Sequence, residues 1–203
     1  MIAIINYGLG NLHSVQKAIA YVGGDAEVTG DPETILQASK VVLPGVGAFA
    51  DGMKGLESQG LVKAVRKVAE LGKPLLGICL GMQLLFEKSD EQGHHQGLGL
   101  LAGKVVLFQQ PGIKVPQIGW NQVALMKPSQ LMIGIREGDY FYFNHSYYCI
   151  PEEAEDLLTM TDYGLRFSSA VERGNIFGVQ FHPEKSQKTG LQVLKNFVEL
   201  SDE

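Results

Sequence analysis

The chain is short of cysteine, with only Cys79 and Cys149 in 203 residues. Two thiols cannot build a disulfide scaffold or an all-cysteine zinc site. A Cys79–Cys149 bridge is set aside because cytosolic disulfides are rare. Basic residues are not in excess either: Lys and Arg number 17 against 22 Asp and Glu, a net charge of −5. That excludes the broad basic footprint of a nucleic-acid binder. Long apolar runs are missing as well. The longest, Pro74 to Phe86, is interrupted by Gln83 and is too short to span a bilayer. The opening residues, MIAIINYGLGN, carry no basic leader. The expectation is a soluble, cytoplasmic chain without a signal peptide. Phosphate loops are absent too. No Gly-Lys-Ser/Thr follows Pro44–Gly47, and His13 stands where a third glycine would complete Gly8-Leu9-Gly10 as a dinucleotide fingerprint.

Hydrophobic residues make up 45% of the chain and charged residues 19%, which excludes extended disorder. A chain of this length buries a core without disulfides or structural metal. No repeat, low-complexity tract or linker divides it, so one domain over residues 1–203 is expected. Glycine is abundant, 25 residues, which points to tight turns and close backbone approaches.

The first half alternates strand and helix. Ile2–Ile5 is a short apolar run ending in Asn6-Tyr7-Gly8, a buried strand and a turn. Leu12, Val15, Ile19 and Val22 recur at helical spacing and stop at Gly23-Gly24. Ala26–Val28 and Val41–Leu43 read as strands. Leu61 to Leu71 reads as a helix ended by Gly72, Pro74–Ile78 as a buried strand, and Leu80 to Phe86 as a helix. Continuous apolar strands of this kind build a parallel sheet covered on both faces. The second half carries strand patterns at Val105–Phe108, Gln122–Leu125, Tyr140–Phe143, Tyr147–Ile150, Ala170–Glu172 and Ile176–Phe181, some of them antiparallel. A last helix runs from about Thr189 to Leu200. The expected fold class is α/β, with a mixed, largely parallel central sheet flanked by helices and antiparallel strands in the C-terminal half.

The strongest local feature is Gly77-Ile78-Cys79-Leu80-Gly81, after an apolar strand and before a helix. A nucleophile at such a turn stands exposed at the strand's end, held in a strained conformation. The helix that starts there aims its amides at the sulfur and favours the thiolate. The Leu80 amide is placed to bind an oxyanion. A lone cysteine is ordinarily a small buried hydrophobe; the elbow setting is what favours a nucleophile here. A thiolate needs a base, and His182 lies in Gln180-Phe181-His182-Pro183-Glu184, just past a strand. Glu184 can accept from its second nitrogen and fix the tautomer. The other histidines carry less. His94 and His95 lie in a polar loop without a third ligand at zinc spacing, His13 on the outside of the first helix, and His145 in an aromatic run that could wall a pocket. Pro44-Gly45-Val46-Gly47 could offer a second oxyanion amide, but such a turn is common.

Together, Pro44–Gly47, Gly77–Gln83 and Phe181–Glu184 resemble the class I (triad) glutamine amidotransferases in order and separation across nearly the whole chain. The closer resemblance is to the glutaminase subunits of imidazole glycerol phosphate synthases. It is carried by Asn6–Asn11, Gly47–Phe49, Leu84–Glu87, Gly119–Asn121, Phe143–Tyr147 and Pro183–Ser186. The resemblance implies a flavodoxin-like amidotransferase fold and no cofactor or metal. It implies that Cys79 attacks the glutamine amide, His182 moves the proton and Glu184 orients His182. Gly47 and Leu80 match the oxyanion side, and Gln83, Ser146 and Tyr147 match glutamine contacts. It also implies a heterodimer with a (β/α)8 cyclase subunit, to which ammonia passes. The products are imidazole glycerol phosphate and an aminoimidazole carboxamide ribotide, in histidine biosynthesis. Trp120 is then an interface residue; a core tryptophan is the other reading. Asn144 stands where the family carries Val more readily. Three alternatives stay open: a subunit serving another synthase, a non-catalytic interaction subunit, and a cysteine peptidase on the same elbow.

Overall fold

The computed structural model describes residues 1–201. The chain runs β1 (Ile2–Ile5), α1 (Leu12–Tyr21), β2 (Ala26–Thr29), α2 (Pro32–Gln37), β3 (Lys40–Gly45), α3 (Phe49–Ser58), α4 (Leu61–Glu70), β4 (Leu75–Cys79) and α5 (Leu80–Leu84). It continues through β5 (Phe86–Ser89), β6 (His95–Gln96), β7 (Leu101–Leu107), β8 (Gln117–Gln122), β9 (Ala124–Leu125), β10 (Tyr140–His145) and β11 (Tyr147–Pro151). It ends with β12 (Leu157–Asp162), β13 (Arg166–Arg173), β14 (Ile176–Val179) and α6 (Gln187–Glu199).

The central sheet is mixed. Its path is β2-β1-β3-β4-β14-β13-β11-β7-β5-β6, with β12 and β9 attached beside β13. From β2 to β14 the neighbours are parallel. From β14 through β13 and β11 to β7 they are antiparallel. The division follows the residues. β1 and β4 are buried along their whole length and β3 likewise, as the sheet centre requires. Successive side chains point to opposite faces. Ile2, Ile4, Val42 and Leu76 therefore meet Val15 and Ile19 of α1 and Val193, Leu194 and Phe197 of α6. Ala3, Ile5, Val41 and Leu43 meet Met53 and Leu56 of α3 and Val65 and Val68 of α4. Each fully buried aliphatic side chain here contributes about 1.5–3 kcal/mol.

Several boundaries differ from expectation. α3 had no forecast, because Gly52 and Gly55 dilute its helical pattern. The helix expected over Leu80–Phe86 stops at Leu84, and Phe86 opens β5. The strand expected at Gln122–Leu125 lies at Gln117–Gln122, with only Ala124–Leu125 beyond it. β8 and β10 form a separate two-stranded sheet. One face of β10 buries Phe141, Phe143 and His145, while Tyr140 and Asn144 face outward. Among the described residues, no helix is long and apolar enough to cross a membrane. The two cysteines are free.

Candidate active site

In an open parallel sheet, ligands sit at the carboxyl ends of the strands. Here β3 ends at Gly45, β4 at Cys79, and the chain leaving β14 carries Gln180 and His182. These three ends meet. They border a cavity of about 260 Å³ lined by Gly47, Cys79, Leu80, Gln83, Ser146, Tyr147 and His182, among others. Seven of the eight residues singled out in the sequence therefore share one wall. The eighth, Glu184, stands directly behind His182. A larger cleft of about 570 Å³ opens at the other ends of the strands, around Lys73, Glu172 and Asn175, with no cysteine or histidine in its lining.

Cys79 occupies the junction of β4 and α5 with φ 55° and ψ −110°. That conformation is strained for a residue bearing a Cβ, and costs of order 1–3 kcal/mol. Its neighbours make the turn possible. A Cβ on Gly81 would overlap the Leu43 carbonyl oxygen, and one on Gly77 would stand 2.7 Å from the Gly81 backbone. The sulfur lies 3.8 Å from the Asn144 carbonyl oxygen, to which the thiol donates, and 3.7 Å from Gln180 Nε2.

His182 follows β14 in extended geometry, its amide donating to the Tyr142 carbonyl. Its Nδ1 lies 2.9 Å from Glu184 Oε1, and both side chains are almost wholly buried. Burial works against an imidazolium at this position. The Cys79 sulfur and the Glu184 carboxylate outweigh it, and the His182 pKa is raised to about 10. Nδ1 faces Glu184, which leaves Nε2 for the sulfur side. This is the arrangement of a nucleophile, a base and an orienting carboxylate.

His145 is buried, with Nδ1 2.7 Å from the Tyr147 carbonyl and Nε2 3.1 Å from Gln117 Oε1. Burial is the main cause that lowers its pKa to about 4, which favours the neutral ring at this wall position. Tyr7 sends its hydroxyl to the Pro44 carbonyl at 2.7 Å and so steadies the segment leading to Gly47. His13 is exposed, and His94 is exposed beside Asp90. Among the described residues, no group of three or more His, Cys, Asp or Glu side chains is placed to hold a metal ion. Trp120 is half exposed and edge-on to Tyr142, which removes the core reading.

Sequence reasoning missed two residues. Glu91 enters the cavity wall from the polar loop after β5, and its Oε2 accepts from the Phe49 amide at 2.7 Å. Nothing local marks it, because the contact spans 42 residues. Gln180, fully buried, touches the sulfur. Its signal was there: two residues before His182 on an extended segment, it belongs to the same face.

A family model described as glutamine amidotransferase class-I matches residues 3–200. The chain is 58% identical to imidazole glycerol phosphate synthase subunit HisH of Moorella thermoacetica, over 98% of this chain and 94% of that one. It is 53% identical to the HisH subunit of Aquifex aeolicus, over 96% of this chain and 94% of that one. Among solved structures, a glutamine amidotransferase superposes with a TM-score of 0.77 at 17% identity, covering 98% of this chain and 100% of that one. PurLQS from Thermotoga maritima gives 0.77 at 17% identity, covering 97% and 96%. At that identity the structures speak for the α/β fold alone; the family rests on the sequence matches. The chain belongs to the class-I glutamine amidotransferase family, among the HisH subunits of imidazole glycerol phosphate synthase.

Proposed function

We propose that this chain is the glutaminase subunit of an imidazole glycerol phosphate synthase in histidine biosynthesis, acting as one domain over residues 1–203. Cys79, His182 and Glu184 carry the chemistry. The Cys79 thiolate attacks the side-chain amide carbon of glutamine. The tetrahedral oxyanion is held by backbone amides at Leu80 and on the Gly47 side. His182 gives its proton to the departing nitrogen, and ammonia leaves a glutamyl thioester. His182 then takes a proton from water, which attacks the thioester and releases glutamate and the thiolate. The observation that carries this reading is the buried His182–Glu184 pair at 2.9 Å behind a strained Cys79 in one small cavity.

The cavity is smaller than a drug-sized pocket and suits a small metabolite. Gln83, Ser146 and Tyr147 are its glutamine contacts. The Glu91 carboxylate supplies the negative group that an α-ammonium needs, beside the Tyr147 phenol.

Ammonia is consumed by a (β/α)8 cyclase partner, which makes imidazole glycerol phosphate and aminoimidazole carboxamide ribotide. The partner docks on the face beside the cavity mouth. There β8 and β10 turn Ile118, Trp120 and Tyr140 outward, exposed at 59%, 46% and 52%. Asn144 points to this same face, so its departure from the family pattern bears on docking and leaves the triad intact.

The test is glutamate release from glutamine, with and without the cyclase subunit and its ribonucleotide ligand. Stimulation by both, abolished in Cys79→Ala with partner binding kept, is the expected result. Turnover retained in Cys79→Ala removes the mechanism. Hydrolysis that the cyclase does not stimulate points to a different synthase.

A further inference from the structure

Three amides form a chain that ends on the nucleophile. Gln83 Nε2 lies 3.1 Å from the Tyr147 carbonyl oxygen and 3.0 Å from Gln180 Oε1. Gln180 Nε2 lies 3.7 Å from Cys79 Sγ, an ordinary length for the larger sulfur atom. Gln83 and Gln180 are both buried, Gln180 completely.

Elementary donor and acceptor chemistry fixes the sense of every link. A backbone carbonyl oxygen only accepts, so Gln83 must turn its NH2 toward Tyr147. The same NH2 group carries a second hydrogen, which requires an acceptor from Gln180. Gln180 therefore presents its oxygen to Gln83 and its NH2 to the sulfur. The anchor is secure, because the Tyr147 carbonyl also receives His145 Nδ1 at 2.7 Å and has two lone pairs for the two donors.

The sulfur thus sits between opposite neighbours. The Asn144 carbonyl suits a thiol, which can donate to it. The Gln180 NH2 suits a thiolate, which can only accept. We propose that Gln180 is a thiolate-stabilising residue, its amide donating to Cys79 Sγ, and that Gln83 acts through it as a positioning residue by locking the amide's sense. This rests on the reading of Cys79 as the nucleophile. It gives Gln83 a duty beyond touching substrate: its NH2 is spent on the lock, and only its carbonyl oxygen is left for the cavity.

The test follows alkylation of Cys79 by iodoacetamide against pH in the full chain. The readout is the mass of the Cys79 peptide, which separates it from the buried Cys149. The titratable or charged groups around the sulfur are Tyr7, Cys149 and His182 with Glu184 behind it, and across the cavity His145, Tyr147, Glu91 and Lys185. Gln180→Met and Gln83→Met change none of them. A hydrogen bond to a charged group is strong enough to move a titration by about one pH unit. We expect the alkylation midpoint of Gln180→Met to rise by that amount, with rates below the midpoint falling about tenfold. Gln83→Met should move it in the same direction by less. A merely structural role would alter melting without moving the midpoint. Midpoints coincident with wild type in folded Gln180→Met overturn the proposal. If that variant does not fold, an unmoved midpoint in Gln83→Met does so. Failure of the glutaminase reading looks different: wild type releases no glutamate even with the cyclase subunit and its ribonucleotide ligand present, whatever the alkylation profiles do.

Discussion

His182 Nδ1 and Glu184 Oε1 are 2.9 Å apart although only Pro183 separates the two residues in sequence. The proline starts a short 3-10 turn that folds the carboxylate back under the imidazole. Among the described residues, the second oxygen, Glu184 Oε2, has no hydrogen-bond partner. The charge of the carboxylate is therefore committed to His182. Glu184→Gln keeps an acceptor for Nδ1 and removes only that charge. The His182 pKa then falls from its raised position, and the alkaline limb of the glutaminase pH profile moves to lower pH. We expect kcat to drop about 10- to 100-fold, the worth of a hydrogen bond to a charged group. An alkaline limb that stays in place in Glu184→Gln would show that Glu184 does not set the charge of His182.

The glycines around the site divide into two kinds, and substitution should separate them. Gly81 has no room for a Cβ, because the Leu43 carbonyl occupies the space. Gly81→Ala must push α5 off β3, and we expect it to destabilise the chain by about 3 kcal/mol or more. Gly47 has φ 104° and open space around it. Gly47→Ala is strained only in its backbone, by about 1 kcal/mol. It should fold and melt within a few degrees of wild type while losing turnover through the shifted oxyanion segment. Thermal melting and glutamate release on both variants check this. Full activity in folded Gly47→Ala would take that segment out of the mechanism.

How much could be read beforehand depended on whether the signal was local. The elbow was legible because glycine spacing, apolar strand and following helix all lie within a dozen residues. The His182–Glu184 pair was legible because proline forces its geometry. α3 was not, and the cause is physical. Gly52 packs against Leu84 and Leu80, and a Cβ on Gly55 would collide with the Tyr7 carbonyl. The glycines that let this helix approach the site also erase its sequence signature. β8 was misplaced because its inward residue Gln117 is polar, buried through its bond to His145. Glu91 reaches the cavity only through the tertiary fold.

Glu91 carries two duties, and a pair of variants distinguishes them. Its Oε2 accepts the Phe49 amide at the start of α3, and its charge faces the cavity. Glu91→Gln retains an acceptor for Phe49 and loses the charge. We expect KM for glutamine to rise about tenfold or more with stability unchanged, as for loss of one ion pair to substrate. Glu91→Ala loses the cap as well and should cost about 1 kcal/mol of stability. Steady-state kinetics and urea unfolding decide. An unchanged KM in Glu91→Gln assigns the residue to the helix alone.

His145 gives the stability of the chain a pH dependence whose sign is fixed. Its pKa is about 4 in the folded chain, chiefly through burial, against 6.5 for the free side chain. Folding therefore favours the neutral ring. The contribution is complete above pH 6.5 and is lost as pH falls toward 4, where the unfolded chain binds a proton that the folded chain resists. The depression corresponds to about 3 kcal/mol. His145→Gln cannot titrate, and Gln can still meet the Tyr147 carbonyl and the Gln117 amide. The variant should be less stable than wild type at pH 7, because the ring also packs against Phe108 and Phe167. Wild type should lose that advantage on acidification, since carboxylates elsewhere titrate equally in both chains and cancel in the comparison. Urea unfolding of the two chains between pH 7 and pH 4 measures the difference. A gap that stays constant across this range would mean that the ring binds its proton equally well in the folded and unfolded chains, so that burial does not lower its pKa. Acceptors for a charged ring are in place, since Nδ1 faces the Tyr147 carbonyl and Nε2 faces Gln117 Oε1, so a flat gap would mean that these two bonds offset the cost of burial.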